Sequence, residues 1–581
     1  MTVPAYFGFL LVTAASLTGW GALAMPGVRR WPERFGAGTL LMFFLLAAAG
    51  WSGLMVPGVL WVLLSVGLLL WARPGRFCLP PGPGLISLCG LLVLPLVMLP
   101  PASRDAMIHH LYQARLWLDA GRIVRPEWSG FFSYPYLTET LYSLAGGTFG
   151  FRISRAVSLL GFLAACSVPA AWFLEKGRRK EAILSLLVLV SIPELLRNAS
   201  WSYSDSFLVF FSLLAYSEML KEDGSPLTAV IWGAAAACCK YNGILVLVSV
   251  FVLLPVHFRR LPWKTLAVSL GAALFISSWW AVPNLLQWGN PVYPLLRGLL
   301  GPENPVSLRA ADYFATAPFS TSLHGVLDYL LLPVRMSVHG RWDDPVFFDG
   351  ASGPLLLAGV IIALPVLRGK RRKFLLPVLY LLLTLIFKGQ GVRTRYMLPG
   401  FAMLSIPLSE ALGTLLCTRG RLVRYATLAL LTGCLFWSGS RMAELYSEER
   451  PWELPSDTEY LSRKLPEYDF FMDCGGYVSG GDTTFALNIG RVFYYPGYAV
   501  FDENGAPLGL VRLFWSGMGS EEIADSLRKL GVTHVAADMF LTSINLPSVL
   551  EPAELAHWNE FISLRLVPLL TEGSYALFRL E

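Results

Sequence analysis

Charge is scarce in this chain. Only 15% of its 581 residues are Asp, Glu, Lys or Arg, and 55% are hydrophobic. A soluble domain carries roughly 25% charged residues, so that balance excludes an ordinary soluble domain as the bulk of the molecule. Cysteine is thinly spread. There are eight, most of them (Cys89, Cys166, Cys238, Cys239, Cys417 and Cys434) in or at the ends of apolar runs, with Cys78 in a loop and Cys474 alone in the tail. No pairing suggests a disulfide framework, and no CxxC or His/Cys spacing suggests zinc. No glycine-rich phosphate loop is present, so a nucleotide-dependent reaction has no visible site. Internal repeats and low-complexity tracts are also missing.

What the chain has in abundance is apolar runs, among them 40–50, 56–71, 85–99, 184–192, 244–255 and 374–387. Runs near the length that crosses a hydrocarbon layer of about 30 Å predict about fourteen spans between residues 4 and 438. The pair 230–239 and 243–254 is short and reads as half-helices or a re-entrant segment. Residues 4–23 lack a basic start and a clean cleavage site, so they read as a retained span. The net charge of +6 gathers in short loops: Arg29 with Arg30, Arg73 with Arg76, and the stretches 176–180, 259–264, 368–373 and 419–424. Short basic loops stay cytoplasmic. Counting from them puts the loops 101–152, 196–202, 287–350 and 389–395, and the tail from Arg441, on the extracytoplasmic side. The basic balance is a membrane signature and supports no nucleic-acid partner.

The expected fold class is a polytopic α-helical membrane protein with a C-terminal extracytoplasmic α/β domain. Residues 1–82 read as additional N-terminal spans. Residues 83–440 read as the core, carrying the long outside loops 101–152 and 287–350, and residues 441–581 as the α/β domain. In the tail, 468–472, 534–538 and 575–580 read as strands, and 521–530 as a helix closed by Gly531. Asp482, Asp502 and Glu503 read as solvated surface carboxylates.

Ionisable residues beside membrane spans are costly and read as functional by default. Arg104 and Asp105 open the first long loop, followed by His109 and His110. A helix over 105–121 puts Asp105, His109 and Gln113 on one face and Met107, Leu111, Ala114 and Leu118 on the other. Asp105 at that junction is placed to accept a proton from a hydroxyl nucleophile; it also suits an N-cap. His109 reads as an orienting group or a metal contributor, and His110 as an interface histidine bonded to backbone or water. Glu139, after Tyr134 and Pro135 in an apolar setting, reads as a second acid, an Arg partner or an acceptor-binding group. Lys240 suits a phosphate as a point charge, or snorkels to the headgroups. Lys388, Arg393 and Arg395 cluster at one outside turn, and paired arginines suit a phosphate or pyrophosphate; lipid headgroups are the other reading. Around the second loop, Trp280, Asn284, Asn290, Tyr293, Arg341, Trp342, Asp343, Asp344 and Asp349 mix rings with carboxylates and amides, as sugar sites do.

These residues resemble a known family. Asp105 with His110 and Leu111, Tyr134-Pro135 with Glu139, the run Lys240-Tyr241-Asn242-Gly243, the run from Gly289 through Asn290 and Tyr293 to Pro294, Asp349-Gly350, and Arg395-Tyr396 with Leu398-Pro399 stand in the order seen in the GT-C superfamily of membrane glycosyltransferases. The branch they resemble lies near the protein O-mannosyltransferases and aminoarabinose transferases. The resemblance covers roughly 85–407. It implies a polyprenyl-phosphate sugar as donor, undecaprenyl phosphate in a bacterium, and a glycan, lipid or protein as acceptor. It also implies an acidic residue at the first span–loop junction, here Asp105. Many members show two adjacent acids there; this chain has Arg104 and Asp105, which weakens the case for a divalent metal. The expected activity is inverting transfer of one hexosyl or pentosyl unit with Asp105 and Glu139 as catalytic residues and no cofactor. Lys240, Arg393 and Arg395 are expected on the donor phosphate, and His109, His110, Tyr134, Asn290, Tyr293, Asp349 and Tyr396 at the substrate. A lipid-linked-sugar flippase and a ligase or polymerase using a lipid diphosphate are the alternatives.

Overall fold

The computed structural model describes residues 3–73, 78–126, 128–258, 261–296, 299–300, 323–388, 391–501, 513 and 517–581. Asp502, Glu503 and much of the loop 287–350 therefore lie outside the described residues, as does the Lys388 side chain.

Helices dominate the first 450 residues. Among the described residues, five are long and apolar enough to cross a membrane: Pro4–Ala24, Trp31–Trp51, Phe151–Leu174, Trp263–Trp288 and Arg421–Glu449. Two bent pairs bring the number to seven at most. The expected fourteen is not reproduced, because many apolar runs fold as shorter pieces. Pro57–Trp71, Pro226–Cys239, Asn242–His257 and Pro354–Val366 are all short of a full span, and the 85–99 run breaks after Leu91 into Pro83–Leu91 and the single turn Leu94–Val97. The two helices read as half-spans from sequence are the short pair Pro226–Cys239 and Asn242–His257. The last long helix carries the chain to Glu449, beyond the boundary drawn at 440.

Proline accounts for the sharper of the two bends. Arg179–Val190 and Pro193–Ser200 meet at 75°. Proline lacks the N–H a continuing helix needs but fits the first turn of a new one, and Pro193 opens the second segment. The other pair, Thr394–Met403 and Ser405–Leu416, bends by 53°. Phe151–Leu174 is the most deeply enclosed span, with 89% of its apolar window buried, whereas the figure for Trp263–Trp288 is 22%. The first is the centre of the bundle and the second an outer wall.

The tail forms a five-stranded sheet of order β2-β1-β3-β5-β4, with β1 Thr483–Leu487, β2 Tyr498–Phe501, β3 Val532–Asp538, β4 Leu566–Glu572 and β5 Tyr575–Leu580. The β1 strand is parallel to β2 and β3, and β5 runs antiparallel to β3 and β4. Alternation along a strand gives each face its own core. Phe485, Leu487, Val500 and Val535 face a core shared with Ile523, Leu527, Trp558 and Phe561. Ala486, Ala499, Phe501 and Ala536 join the core of the helical body. The expected strand at 468–472 is instead the helix Tyr468–Cys474. Its aromatic content imitates a strand, but Tyr468, Phe471 and Cys474 are buried at helical spacing, which the sheet could not satisfy.

The second face of the sheet lands on the first loop. The Tyr112 hydroxyl donates to the Ala499 carbonyl (2.7 Å) and accepts from the Ala499 amide (2.9 Å). Arg115 donates to the Phe493 and Tyr495 carbonyls, and Trp128 packs edge-on against Phe501 at 4.9 Å. The α/β domain thus clamps the helix Leu111–Asp119, which continues from the turn bearing the two histidines.

Candidate active site

The expected helix over 105–121 forms with one change: Ala106–His110 is a wide π turn, and the α-helix proper begins at Leu111. Such π turns concentrate at functional sites. Met107, Leu111 and Ala114 on the apolar face are fully covered by protein, not lipid. The turn brings the His109 and His110 rings within 4.0 Å of each other. His109 stacks on Phe131 at 4.9 Å and stands edge-on to Tyr134 at 6.0 Å. His110 has a specific partner in place of the expected backbone or water: its Nδ1 lies 2.5 Å from Oε1 of Glu139. Glu139 is in the first turn of Leu137–Thr148, where the amino end of a helix favours a negative charge.

Asp105 meets Arg395 across the molecule, with Oδ2 and Nη1 2.5 Å apart. Its amide donates to the Tyr203 hydroxyl (3.3 Å), and the Arg395 guanidinium lies 5.6 Å above the Tyr203 ring and 5.5 Å from the Tyr396 ring. Burial by itself would raise the Asp105 carboxyl, but Arg395, with the two histidines and Lys240 nearby, holds it well below the usual carboxylate range. Glu139 has no such guanidinium, and burial pushes it up to about 7. Burial also pulls His109 well down and His110 to about 3, so both rings are neutral at pH 7. Exposure separates the two acids. The Asp105 side chain is 25% exposed and that of Glu139 only 3%, so Asp105 is the one an incoming group can reach.

Lys240 occupies the turn where Pro226–Cys239 stops and Asn242–His257 begins. Its ammonium sits on Asp205 at 2.9 Å and 5.9 Å from the Tyr396 ring. Arg393 pairs with Asp349 at 3.3 Å. All three expected phosphate cations thus come with a carboxylate partner. Asp349 is shared with Arg197 (3.5 Å), which also meets Glu194 (3.5 Å) and Asp343 (2.5 Å) and lies 3.8 Å from the Trp201 ring and 5.0 Å from Trp342. The backbone is stitched to match. Thr394 donates through its amide to Phe348 (2.8 Å) and through its hydroxyl to Gly350 (2.7 Å), and the Glu194 amide donates to Ala351 (3.2 Å). Gly350 has φ +136°, and a Cβ there would lie 2.1 Å from Oε2 of Glu194, so only glycine fits this crossing.

Asn290 and Tyr293 do other work. The Asn290 side chain closes its own loop, donating to Leu295 (2.7 Å) and accepting from Val292 (2.9 Å). Tyr293 stacks on Trp288 at 4.4 Å, and its carbonyl accepts the Tyr241 hydroxyl. The structure therefore gathers Asp105, His109, His110, Tyr134, Glu139, Lys240, Arg395 and Tyr396 around one centre. It sets Arg393 and Asp349 in an adjoining network and leaves Asn290 and Tyr293 as loop supports. Sequence reading passed over Asp205, Glu194, Arg197 and Tyr203. A signal existed for two of them: Glu194 and Arg197 are charges at i, i+3 directly after the apolar run 184–192.

Residues 129–315 match a family described as a domain of unknown function, DUF8201. No curated protein matches the sequence. Among solved structures, the chain is similar to ArnT from Cupriavidus metallidurans bound to undecaprenyl phosphate, at 14% identity and a TM-score of 0.52, over 85% of this chain and 97% of that one. It is similar to the apo state of the same protein at 13% identity and a TM-score of 0.51, with the same coverage. Over that length the chain shares the fold of ArnT.

Proposed function

We propose that the chain transfers one sugar from a polyprenyl-phosphate donor to an acceptor hydroxyl on the extracytoplasmic side of a bacterial inner membrane. The observation that carries this reading is the Asp105–Arg395 pair, a carboxylate kept ionised yet partly exposed at the mouth of the first loop. The fold shared with a protein solved with undecaprenyl phosphate supports it. In the proposed step the acceptor oxygen attacks the anomeric carbon from the face opposite the lipid phosphate. The bond from that carbon to the phosphate oxygen breaks, the polyprenyl phosphate leaves as an anion, and the hydroxyl proton passes to Asp105, inverting the anomeric centre. Cations facing the leaving group stabilise the charge as it develops; Arg395, Lys240 and Arg393 are the candidates. Glu139, buried against His110, acts on the shape and charge of the site without touching the acceptor. Residues 1–82 would add spans to the core 83–440, and the α/β domain would hold the first loop in place.

The test is reconstitution of the purified chain in liposomes with a polyprenyl-monophosphate sugar and no nucleotide. Sugar transfer supports the reading. Movement of the lipid without transfer would establish a flippase, and reaction only with a lipid diphosphate would establish a ligase or polymerase.

A further inference from the structure

Positive charge is left over at the end of the bundle opposite Asp105. The helix Phe151–Leu174 starts beside the site, where the Ser158 hydroxyl accepts from the Tyr203 amide (3.2 Å). From Ser158 to Leu174 it rises about 24 Å at roughly 1.5 Å per residue, most of the way across a hydrocarbon layer of about 30 Å. The basic segment 176–180 follows it, and the second basic segment 368–373 comes to the same place.

One buried acid draws the two segments together. Glu410 takes Arg178 (2.9 Å) from the first, and Lys373 (2.6 Å) and Lys370 (3.8 Å) from the second. Arg178 also pairs with Glu181 (3.0 Å), and Glu175 is drawn off to Arg30 (2.6 Å). The Lys373 carbonyl accepts the Tyr216 hydroxyl (2.6 Å), which fixes the second segment on the helix Asp205–Leu220. Glu175, Glu181 and Glu410 are thereby occupied. Lys176, Arg179, Lys180, Arg368, Arg371 and Arg372 are all exposed and make no ion pair among the described residues. Burial and then the positive charge of Lys373 lower the proton affinity of Lys176, so the two segments repel each other where Glu410 has pinned them.

Lipid is what meets these charges. A large apolar side chain is exposed within about one helical turn of each segment: Ile183 after Lys180, Leu364 before Arg368 and Leu375 after Arg372. Exposed apolar side chains on the helices of a membrane bundle face hydrocarbon, so the six cations stand on its perimeter at the depth of the headgroups. A soluble acidic partner would leave Ile183, Leu364 and Leu375 uncovered. A lipid brings an anion and the chains that cover them, and crowded cations between helices hold anionic headgroups for this reason.

We infer that segments 176–180 and 368–373 together form one binding site for the headgroup of an anionic phospholipid, whose acyl chains lie on the apolar side chains beside it. This does not depend on glycosyl transfer. The test is equilibrium binding to the full-length purified chain by native mass spectrometry, with phosphatidylglycerol, phosphatidylethanolamine and a hexaglutamate peptide as probes. The wild type should hold phosphatidylglycerol about tenfold or more over phosphatidylethanolamine. Lys176→Gln/Arg179→Gln/Lys180→Gln and Arg368→Gln/Arg371→Gln/Arg372→Gln should each reduce that preference to about twofold or less. Arg419→Gln/Arg421→Gln/Arg424→Gln removes as many charges from a single loop and should leave the preference within about twofold of wild type.

An equal loss in the 419–424 variant would overturn the site and leave only diffuse attraction to basic loops. So would an undiminished preference in either folded triple variant, no preference in the wild type, or tighter binding of hexaglutamate, which would give the patch to an acidic protein. If both triple variants lower Tm, the wild type carries the test. Its preference should fall about threefold or more as ionic strength rises from about 0.1 to about 0.5 M, and a flat response would overturn the assignment.

Discussion

Asp105 and Glu139 lie in the same loop, and each meets a basic partner at 2.5 Å, yet they end in opposite states. Asp105 faces a guanidinium, which does not give up its proton in a protein, and it stays ionised. Glu139 faces an imidazole that burial has already discharged, and its own proton affinity rises to about 7. Distance alone therefore says little about a buried acid. What matters is whether the partner keeps its charge when water is removed. One region of the loop carries a permanent, accessible negative charge, and the other carries a group that changes charge near neutrality.

The strongest way to break this comparison is Asp105→Asn. If Asp105 is the base, turnover in the reconstituted assay falls by about 10²–10⁴; near-normal turnover of a folded variant removes it from the mechanism. Next in size is Arg197→Ala. Arg197 is buried, and losing it strips Glu194 of its cation and leaves Asp349 with Arg393 alone, at a cost of about 3–5 kcal/mol. Thermal melting in detergent checks this, and an unchanged Tm would show that the network contributes little.

Glu139→Gln sharpens the contrast more gently. The folded Glu139 holds its proton more tightly than a free glutamate does, so its contribution to stability is present below the ordinary glutamate range and is lost as pH rises through about 7. The Tm advantage of Glu139→Gln over wild type should therefore appear above pH 7 and shrink below pH 5. Infrared titration of the wild type should show a protonated carboxyl band that fades around pH 7 and is missing from the variant, with no band from Asp105 in that range. If Glu139 charges up beside a site for an anionic donor, donor KM should also rise above pH 7 in the wild type and stay flat in Glu139→Gln. The smallest effect is expected from Tyr112→Phe, which removes both hydroxyl contacts to Ala499 and loosens the α/β domain by about 1–2 kcal/mol. Faster hydrogen exchange at 498–501 with little change in turnover is the expected outcome; unaltered exchange would mean that Trp128 and Arg115 hold the domain alone.

Parts of this were legible in the residues. The apolar stretches 4–23 and 40–50 announced helices of membrane length, Pro4–Ala24 and Trp31–Trp51, and Gly531 after the stretch 521–530 announced the end of Ser520–Lys529. Other parts were not. The number of spans failed because composition does not show where a run such as 85–99 breaks. The segment 468–472 failed because Tyr and Phe favour strands locally, while packing against the neighbouring aromatics decided for a helix.

By itself, the sequence determined that an apolar helical body carries a small α/β tail, and that Glu139 in its apolar setting needs a partner, because unpaired charge at a hydrocarbon boundary is too expensive to keep. Tertiary structure alone decided who partners whom. Arg395 reaches Asp105 from 290 positions away, and Lys240 turns to Asp205. No periodicity encodes such contacts, since an ion pair depends on where two distant backbones cross and not on the spacing of residues along either one.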